Sequence, residues 1–302
     1  MLDSAHATRV QDKLSWLQFQ RMSSLPNRPD FARVTLTECR EPLADVSRYP
    51  FLAVPVYFRN GWSATKQLFA RRSLLDKLAR VQLAHMAPRG LKWVVYDAWR
   101  PRTVQATIYQ HYWREMSRHA PDLPLPTLRE QVGTYVSVPD QAGRTPPHST
   151  GGAIDLGWWD MHRGELCDMG SAFDEFVPAA ANDFFEQPGQ DASIRQRRRE
   201  LHQWLSEEDV IGDDAEWFHK EYGTQRWALR TGAGSAVYGE VLSCRQEGRH
   251  LRVQWAEDED ADARQKRVQQ LREALDLSHP ASKAATRLPT IDACLELALD
   301  AA

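Results

Sequence analysis

His148, Asp155, Glu216 and His219 are the residues of this 302-residue chain whose types and spacing could do chemistry together. Two histidines and one carboxylate can hold a catalytic zinc. Zn(II) takes nitrogen and carboxylate-oxygen ligands in a tetrahedral set, and a catalytic site typically uses three protein ligands and leaves the fourth position to water. His148 lies in Pro-Pro-His-Ser-Thr-Gly-Gly-Ala-Ile-Asp, which ends at Asp155, and Glu-Trp-Phe-His runs from Glu216 to His219. A glutamate close in sequence to a ligand histidine can take the proton of the metal's water, as in the HExxH metalloproteases. Order and spacing differ here and HExxH is absent, which removes the helix-borne zincin reading.

Each part also has a plainer reading. His148 and Asp155, taken alone, describe a surface histidine and a turn carboxylate. Glu216 and His219 are three residues apart, an offset that in an ideal strand sends side chains to opposite faces. Both can meet one metal only if the strand is twisted, bulged or ending there. Arg100 follows an apolar stretch, where a guanidinium can reach a cleft at a sheet end and donate in a fork to a developing oxyanion. The plainer reading of Arg100 is a salt bridge with Asp97. His111, His119, His162 and His202 sit among polar neighbours and read as solvated or capping. Trp158-Trp159 and Trp217-Phe218 read as core, with strand alternation leaving room for a second role as cavity wall. Ser149 and Ser171 lie in turns without a G-x-S-x-G elbow to present them.

These residues need a scaffold. Pro50 to Phe58 reads as a strand ended by Asn60-Gly61, and Ser73 to Met86 as an amphipathic helix with Leu83 off its apolar stripe. Leu91 to Trp99 is rich in β-branched and aromatic residues, suiting a buried strand, and Arg100-Pro101 then opens a helix to about His119. Pro121 to Pro126 reads as a loop and Val132 to Val138 as a short strand. Ala153 to Trp159 reads as a second apolar strand, placing His148 on the loop that feeds it and Asp155 within it. Ser193 to Glu208 reads as a helix with Ile194, Leu201, Trp204 and Leu205 inward, and Glu216 to Tyr222 as a short aromatic strand. Val10 to Met22 suggests a helix and Phe31 to Thr37 a strand. The mixture lacks a βαβ rhythm and predicts an α+β domain, with helices packed on a small, mainly antiparallel sheet. After about Gly234 the texture changes, to a hairpin across Gln246 to Gly248, an acidic run from Glu257 to Asp262, a helix over Ala263 to Leu275, a linker over Ser278 to Pro289 and a last helix over Ile291 to Leu299. The expected division is a main unit over 1–233 that carries the candidate site and a C-terminal extension over 234–302, available for packing, oligomer contacts or coverage of the site.

Composition narrows the class. A formal charge of −3, with 42% hydrophobic and 26% charged residues, fits a globular chain and gives no footprint for nucleic acid. The N-terminal residues show no basic segment followed by an apolar core, and nowhere do about eighteen apolar residues run together, so the expected compartment is the cytoplasm and no membrane partner is expected. Cys39, Cys167, Cys244 and Cys294 form no CxxC pair and read as free thiols, against the alternative of two disulfides in an exported protein.

Three ordered motifs carry a resemblance. Tyr-Asp-Ala-Trp-Arg-Pro (Tyr96 to Pro101), His-Ser-Thr-Gly-Gly-Ala-Ile-Asp-Leu (His148 to Leu156) and Glu-Trp-Phe-His (Glu216 to His219), with Met-Gly-Ser-Ala-Phe-Asp (Met169 to Asp174) in support, resemble the VanX-type D-alanyl-D-alanine dipeptidases, zinc D,D-peptidases that share a fold with the Hedgehog signalling domain. The resemblance spans roughly residues 51 to 230. It implies His148, Asp155 and His219 as ligands of one Zn2+, Glu216 as the general base and Arg100 as the group stabilising the tetrahedral intermediate. It also implies Asp174 beside the free ammonium of a short peptide substrate, with Asp97 orienting Arg100 or shaping the cleft. The implied reaction is hydrolysis of D-Ala-D-Ala or a related short D-configured peptide. A non-catalytic, zinc-stabilised module that binds a peptide or cell-wall fragment is the alternative, and Glu216 and Arg100 argue against it. Two departures stand out: Pro146-Pro147 occupies positions where the family usually has serines, and Lys220 follows the last ligand where an aromatic is common.

Overall fold

A computed structural model describes residues 34–140, 144–175, 177–248, 250–275 and 277. The expected helices at Val10 to Met22 and Ile291 to Leu299, the linker at Ser278 to Pro289 and Cys294 lie outside the described residues. Among the described residues the chain is α+β.

The strands among the described residues are short except where the sequence is most apolar. They are β1 (Thr35–Leu36), β2 (Leu43–Asp45), β3 (Leu52–Ala53), β4 (Phe69–Arg71), β5 (Leu91–Asp97), β6 (Ala153–Asp160), β7 (Glu165–Leu166), β8 (Ile211–Gly212), β9 (His219–Glu221), β10 (Ser235–Ala236), β11 (Val241–Glu247) and β12 (His250–Trp255). The central sheet runs β3-β5-β6-β9-β8, with β7 also on β6; only the β3–β5 pair is parallel. β5 and β6 form its spine because Trp93, Val94, Val95, Ile154, Leu156 and Trp158 are buried on one side or the other. The helices Arg72–Val81, Arg102–His119, Leu125–Tyr135 and Ala192–Ser206 pack around this spine. Trp158 stacks on Trp204 with ring centroids 5.0 Å apart, which joins the sheet to the last of these helices.

The register of the ladder has one break that matters. Val95 pairs with Leu156 and Asp97 with Asp155, so Tyr96 is an extra residue on β5. Without that bulge Tyr96 would oppose Asp155 and Asp97 would point to the other face. With it, Asp97 stands beside Asp155 at the end of the spine.

Most of the expected elements are present, and three differ. The stretch read as a strand from Pro50 to Phe58 holds only the two residues of β3 and then a helical turn, Val56–Arg59. Pro55 caps the start of that turn, and Val56 and Tyr57 within it are buried. The strand expected at Val132 to Val138 is instead the end of the helix Leu125–Tyr135. Pro126 falls in its first turn, where its missing N–H costs nothing, and Leu128, Val132 and Val136 follow four apart. The aromatic strand expected from Glu216 to Tyr222 begins only at His219.

The hairpin of the extension is present as β11 and β12, its second strand over the expected His250 to Trp255 but its first over Val241–Glu247 and not the expected Val237 to Leu242, and the helix Ala261–Ala274 follows. Cys39, Cys167 and Cys244 are free thiols. Among the described residues no helix is long and apolar enough to cross a membrane.

Candidate metal centre

Three strands and one turn bring the chemistry together. Asp155 on β6 is the cross-strand partner of Asp97 on β5 and of His219 on β9, and directly opposed residues share a face of the sheet. The three side chains therefore form a row across the sheet end. His148 completes the group from a short 3-10 turn, Pro147–Thr150, that leads into β6. Pro147 pre-sets the backbone at the start of this turn and Gly151, at φ +72°, ends it in a left-handed conformation. Next to it, a side chain on Gly152 would sit 2.5 Å from the Tyr222 carbonyl, so the turn can press against the strand end only with glycine there.

His148, Asp155 and His219 are all buried, and each offers a ligand atom within 4.8 Å of the others. His148 Nε2 lies 3.1 Å from His219 Nδ1 and 3.4 Å from Asp155 Oδ2, and His219 Nδ1 lies 3.1 Å from Asp155 Oδ1. The far nitrogens have acceptors. His148 Nδ1 is 2.7 Å from the Ala98 carbonyl, and His219 Nε2 is 2.8 Å from Glu221 Oε1. With both far nitrogens donating, neutral imidazoles turn their lone pairs toward each other and toward the Asp155 carboxylate. Three converging electron pairs need a cation between them, a proton or a metal ion, and this is the donor set that suits zinc.

The same surroundings favour a proton on His219. Burial alone would lower the basicity of His219, but Asp155 and Glu221 outweigh it and hold the imidazolium up to about 10. Burial likewise opposes ionisation of Asp155, and the two histidines reverse this and keep its carboxyl well below the usual range.

Glu216 lies in the bend before β9, and His219 N donates to its carbonyl oxygen at 3.3 Å. The strand begins after Glu216, so the parity that would have sent Glu216 and His219 to opposite faces does not apply, and both line one cavity. Arg100 lines the same cavity, 4.0 Å from Asp155 Oδ2. Its Nη1 meets Asp97 Oδ2, its Nε donates to Gln105 Oε1 at 2.8 Å, and its guanidinium lies 5.1 Å over the Tyr57 ring. Asp97 does not line the cavity; it sits behind Arg100 and 3.1 Å from His148 Nδ1. Burial raises the Asp97 carboxyl above its usual range despite those cations.

Asp174 is on the opposite wall, at a left-handed φ of 57° that aspartate tolerates better than most side chains. Tyr57 donates to its carboxylate at 2.8 Å, and burial with the nearby Asp155 charge pushes its carboxyl up to about 7. Phe218 and Tyr112 supply apolar wall, and Asp213 paired with Arg226 closes another side.

The two sequence departures separate here. Pro147 lines the cavity, whereas Lys220 does not. Lys220 pairs with Ile154 and Gly212 on the face of β9 away from His219, and burial lowers its ammonium to about 7. Its change from an aromatic is a matter of packing behind the sheet, not of contact with whatever occupies the cavity. His111, read as solvated, is partly buried and lies 4.7 Å from Trp62, with burial lowering its basicity.

Sequence reasoning missed Glu221, which is fully buried and accepts from Thr224 Oγ1 as well as His219. Its signal was available: two residues past His219 along a strand is the same face. Gln105, which holds Arg100, is five residues away on the following helix, a spacing that marks no pairing, and carries no motif.

A buried His–Asp–His group able to hold a metal, at the sheet end of an α+β chain and beside a charged cavity, defines the class of protein. Residues 60–232, more than half of the chain, match the family described as D-ala-D-ala dipeptidase, and the chain belongs to that family. It is 28% identical over 229 residues to a D-alanyl-D-alanine dipeptidase of Synechocystis sp., covering 67% of this chain and 90% of the relative. It is also 30% identical over 154 residues to a D-alanyl-D-alanine dipeptidase of Escherichia coli K12, covering 50% of this chain and 67% of the relative.

Proposed function

We propose that this chain is a zinc-dependent peptidase that hydrolyses D-Ala-D-Ala or a related short D-configured peptide, through a domain of the Hedgehog/DD-peptidase fold over residues 1–233. The observation that carries it is the tautomer argument: Ala98 O and Glu221 fix the far nitrogens of His148 and His219, so three lone-pair donors converge beside Glu216 and Arg100.

His148, Asp155 and His219 would hold the zinc, which when bound supplies Lewis acidity and an acidified water at neutral pH. Glu216 accepts a proton from the attacking water and returns it to the leaving amine. Arg100 faces the developing oxyanion with a guanidinium already oriented by Asp97 and Gln105, so little reorganisation is needed as charge appears. Its charge is secure, since burial disfavours it but Asp97, Tyr57 and Asp155 raise it above the ordinary arginine range. Asp174, backed by Tyr57, receives the substrate's ammonium. A site of about 470 Å³, counting its open mouth, suits a dipeptide rather than a folded chain.

The test is hydrolysis of D-Ala-D-Ala, L-Ala-L-Ala and a longer D-Ala-terminated peptide by zinc-loaded protein, with Glu216→Ala as control. The expected result is turnover of the D-configured dipeptide, lost by roughly 10²- to 10⁴-fold in Glu216→Ala. No turnover of any peptide despite one bound zinc would sink the reading, and turnover of the longer peptide alone would make it a carboxypeptidase.

A further inference from the structure

The family match ends at residue 232, yet the next ordered stretch reaches back to the site. Four consecutive residues, Tyr238 to Val241, touch three supports of the metal centre, Arg71, Arg102 and Trp99. The Tyr238 ring lies 4.5 Å from the guanidinium carbon of Arg71, with Trp255 4.6 Å from it on β12. The Gly239 carbonyl accepts from Arg71 Nη2 at 3.3 Å. Glu240 Oε1 accepts from Arg102 Nε at 2.8 Å and from Arg267 at 2.9 Å. The Val241 carbonyl accepts from Trp99 Nε1 at 3.1 Å.

Each contact leads to one of the two segments that orient His148. Arg71, fully buried and paired with Glu38, donates through Nε to the Thr150 carbonyl at 2.8 Å and so fixes the turn that carries His148. Trp99 sits between Ala98, whose carbonyl holds His148 Nδ1, and Arg100, whose amide donates to the His148 carbonyl at 3.3 Å. Arg102 follows Arg100 by two residues and bonds the Pro139 and Arg144 carbonyls at 2.6 and 3.0 Å, tying down the loop that enters Pro146-Pro147. A ligand histidine on a turn has no sheet ladder to fix it. Its precision must come from what packs against that turn.

We propose that Tyr238–Val241 is a clamp that positions the site: through Trp99 and Arg71 it sets His148 for the metal, and through Glu240 and Arg102 it sets Arg100 for the reaction. Trp99, Arg71, Glu240 and Arg102 are thus positioning residues, and the C-terminal extension is part of the working site. The Arg100 half of this rests on the dipeptidase reading, and the His148 half rests only on metal binding.

Trp99→Phe keeps a ring and removes the indole donor; Glu240→Gln keeps shape and removes the charge. Zn2+ affinity by chelator competition, kcat and KM for D-Ala-D-Ala, and melting temperature are measured on the full chain for both. Two controls accompany them. Leu78→Val lowers stability at a core residue that makes none of the clamp's contacts described above, and Ser243→Ala changes the same hairpin at an exposed bond to Gln254. Trp99→Phe is expected to weaken Zn2+ binding about tenfold, as loss of outer support does at metal sites. Glu240→Gln is expected to keep Zn2+ affinity within about twofold and to lower kcat about tenfold at nearly constant KM, the signature of a misplaced reacting group. Both controls are expected to bind Zn2+ as the wild type does. The absence of either loss, with only melting temperatures lowered, overturns the proposal. If wild-type protein binds Zn2+ but hydrolyses no dipeptide, the dipeptidase reading fails, and the clamp is then decided by the Zn2+ affinity of Trp99→Phe alone.

Discussion

His148 and His219 face each other across 3.1 Å but are held in opposite ways. His148 stands on a turn, its far nitrogen bonded to the Ala98 backbone carbonyl with the Asp97 carboxylate 3.1 Å away, and its position depends on the segments at Arg71 and Ala98–Trp99, backed by Val241. His219 stands on a strand, locked by ladder bonds to β6 and β8, and its far nitrogen meets the Glu221 carboxylate. Both rings thus have a buried carboxylate behind them, but only the one on the strand holds it as its sole far-side acceptor, and Glu221 with Asp155 raises the His219 imidazolium. The comparison teaches that the strand fixes its histidine through the ladder and a carboxylate, and the turn fixes its histidine through packing from other segments.

The largest effects come from removing either ring. His148→Ala and His219→Ala are both expected to lower dipeptide turnover by roughly 10³-fold or more, the scale of losing an essential group. Equilibrium dialysis against Zn2+ checks the cause, since both variants should fall below one bound ion per chain.

The two supports then separate. Glu221→Gln keeps an acceptor for His219 Nε2 but removes the charge, and is expected to weaken Zn2+ binding about tenfold. The same variant changes the pH response. A His219 imidazolium raised from 6.5 to about 10 adds stability to the metal-free protein that is fully present below about pH 6.5 and lost as pH rises through about 10. Zn2+ competes with that proton, so wild-type affinity should climb with pH across this window. In Glu221→Gln the climb should end at lower pH, and pH-dependent melting of the apo protein should flatten correspondingly; identical profiles for the two proteins would refute the tuning role.

The smallest effect belongs to the turn. Pro147→Ala leaves every described bond of the turn in place and frees the unfolded chain, so it should cost about 0.4–1 kcal/mol of stability by thermal melting with less than about a threefold change in kcat/KM. A larger loss would mean that the turn's aim depends on proline itself more than on the packing behind it.

What the sequence disclosed followed from local rules. The chemistry-bearing residues were legible by type and order, and β5, β6 and the helices at Arg72–Val81 and Ala192–Ser206 were legible because their apolar residues repeat at the period of the element. The misreadings were local as well. Val132 to Val138 has β-branched residues that suit a strand, but Pro126 starts a helix upstream and the four-residue spacing from Leu128 carries it through. Glu216 and His219 posed a parity conflict that disappears because the strand starts after Glu216. Contacts that join distant segments were not legible. Nothing near Val241 marks its carbonyl as the partner of an indole 142 residues earlier, and nothing near Asp97 reveals the bulge that turns it toward His148.

The row Asp97–Asp155–His219 has a consequence for how the chain assembles. β9 is short: it pairs with β6 over three residues and with β8 over two. Slipped by one position, β9 would bring Phe218 or Lys220 opposite Asp155, an apolar ring or an ammonium where a ligand nitrogen belongs. Neither would replace a histidine nitrogen in the group, so an ion held by His148, Asp155 and His219 together would reward one alignment and no other. Metal loading would then double as proofreading of the sheet, stabilising β9 only when its histidine arrives in register.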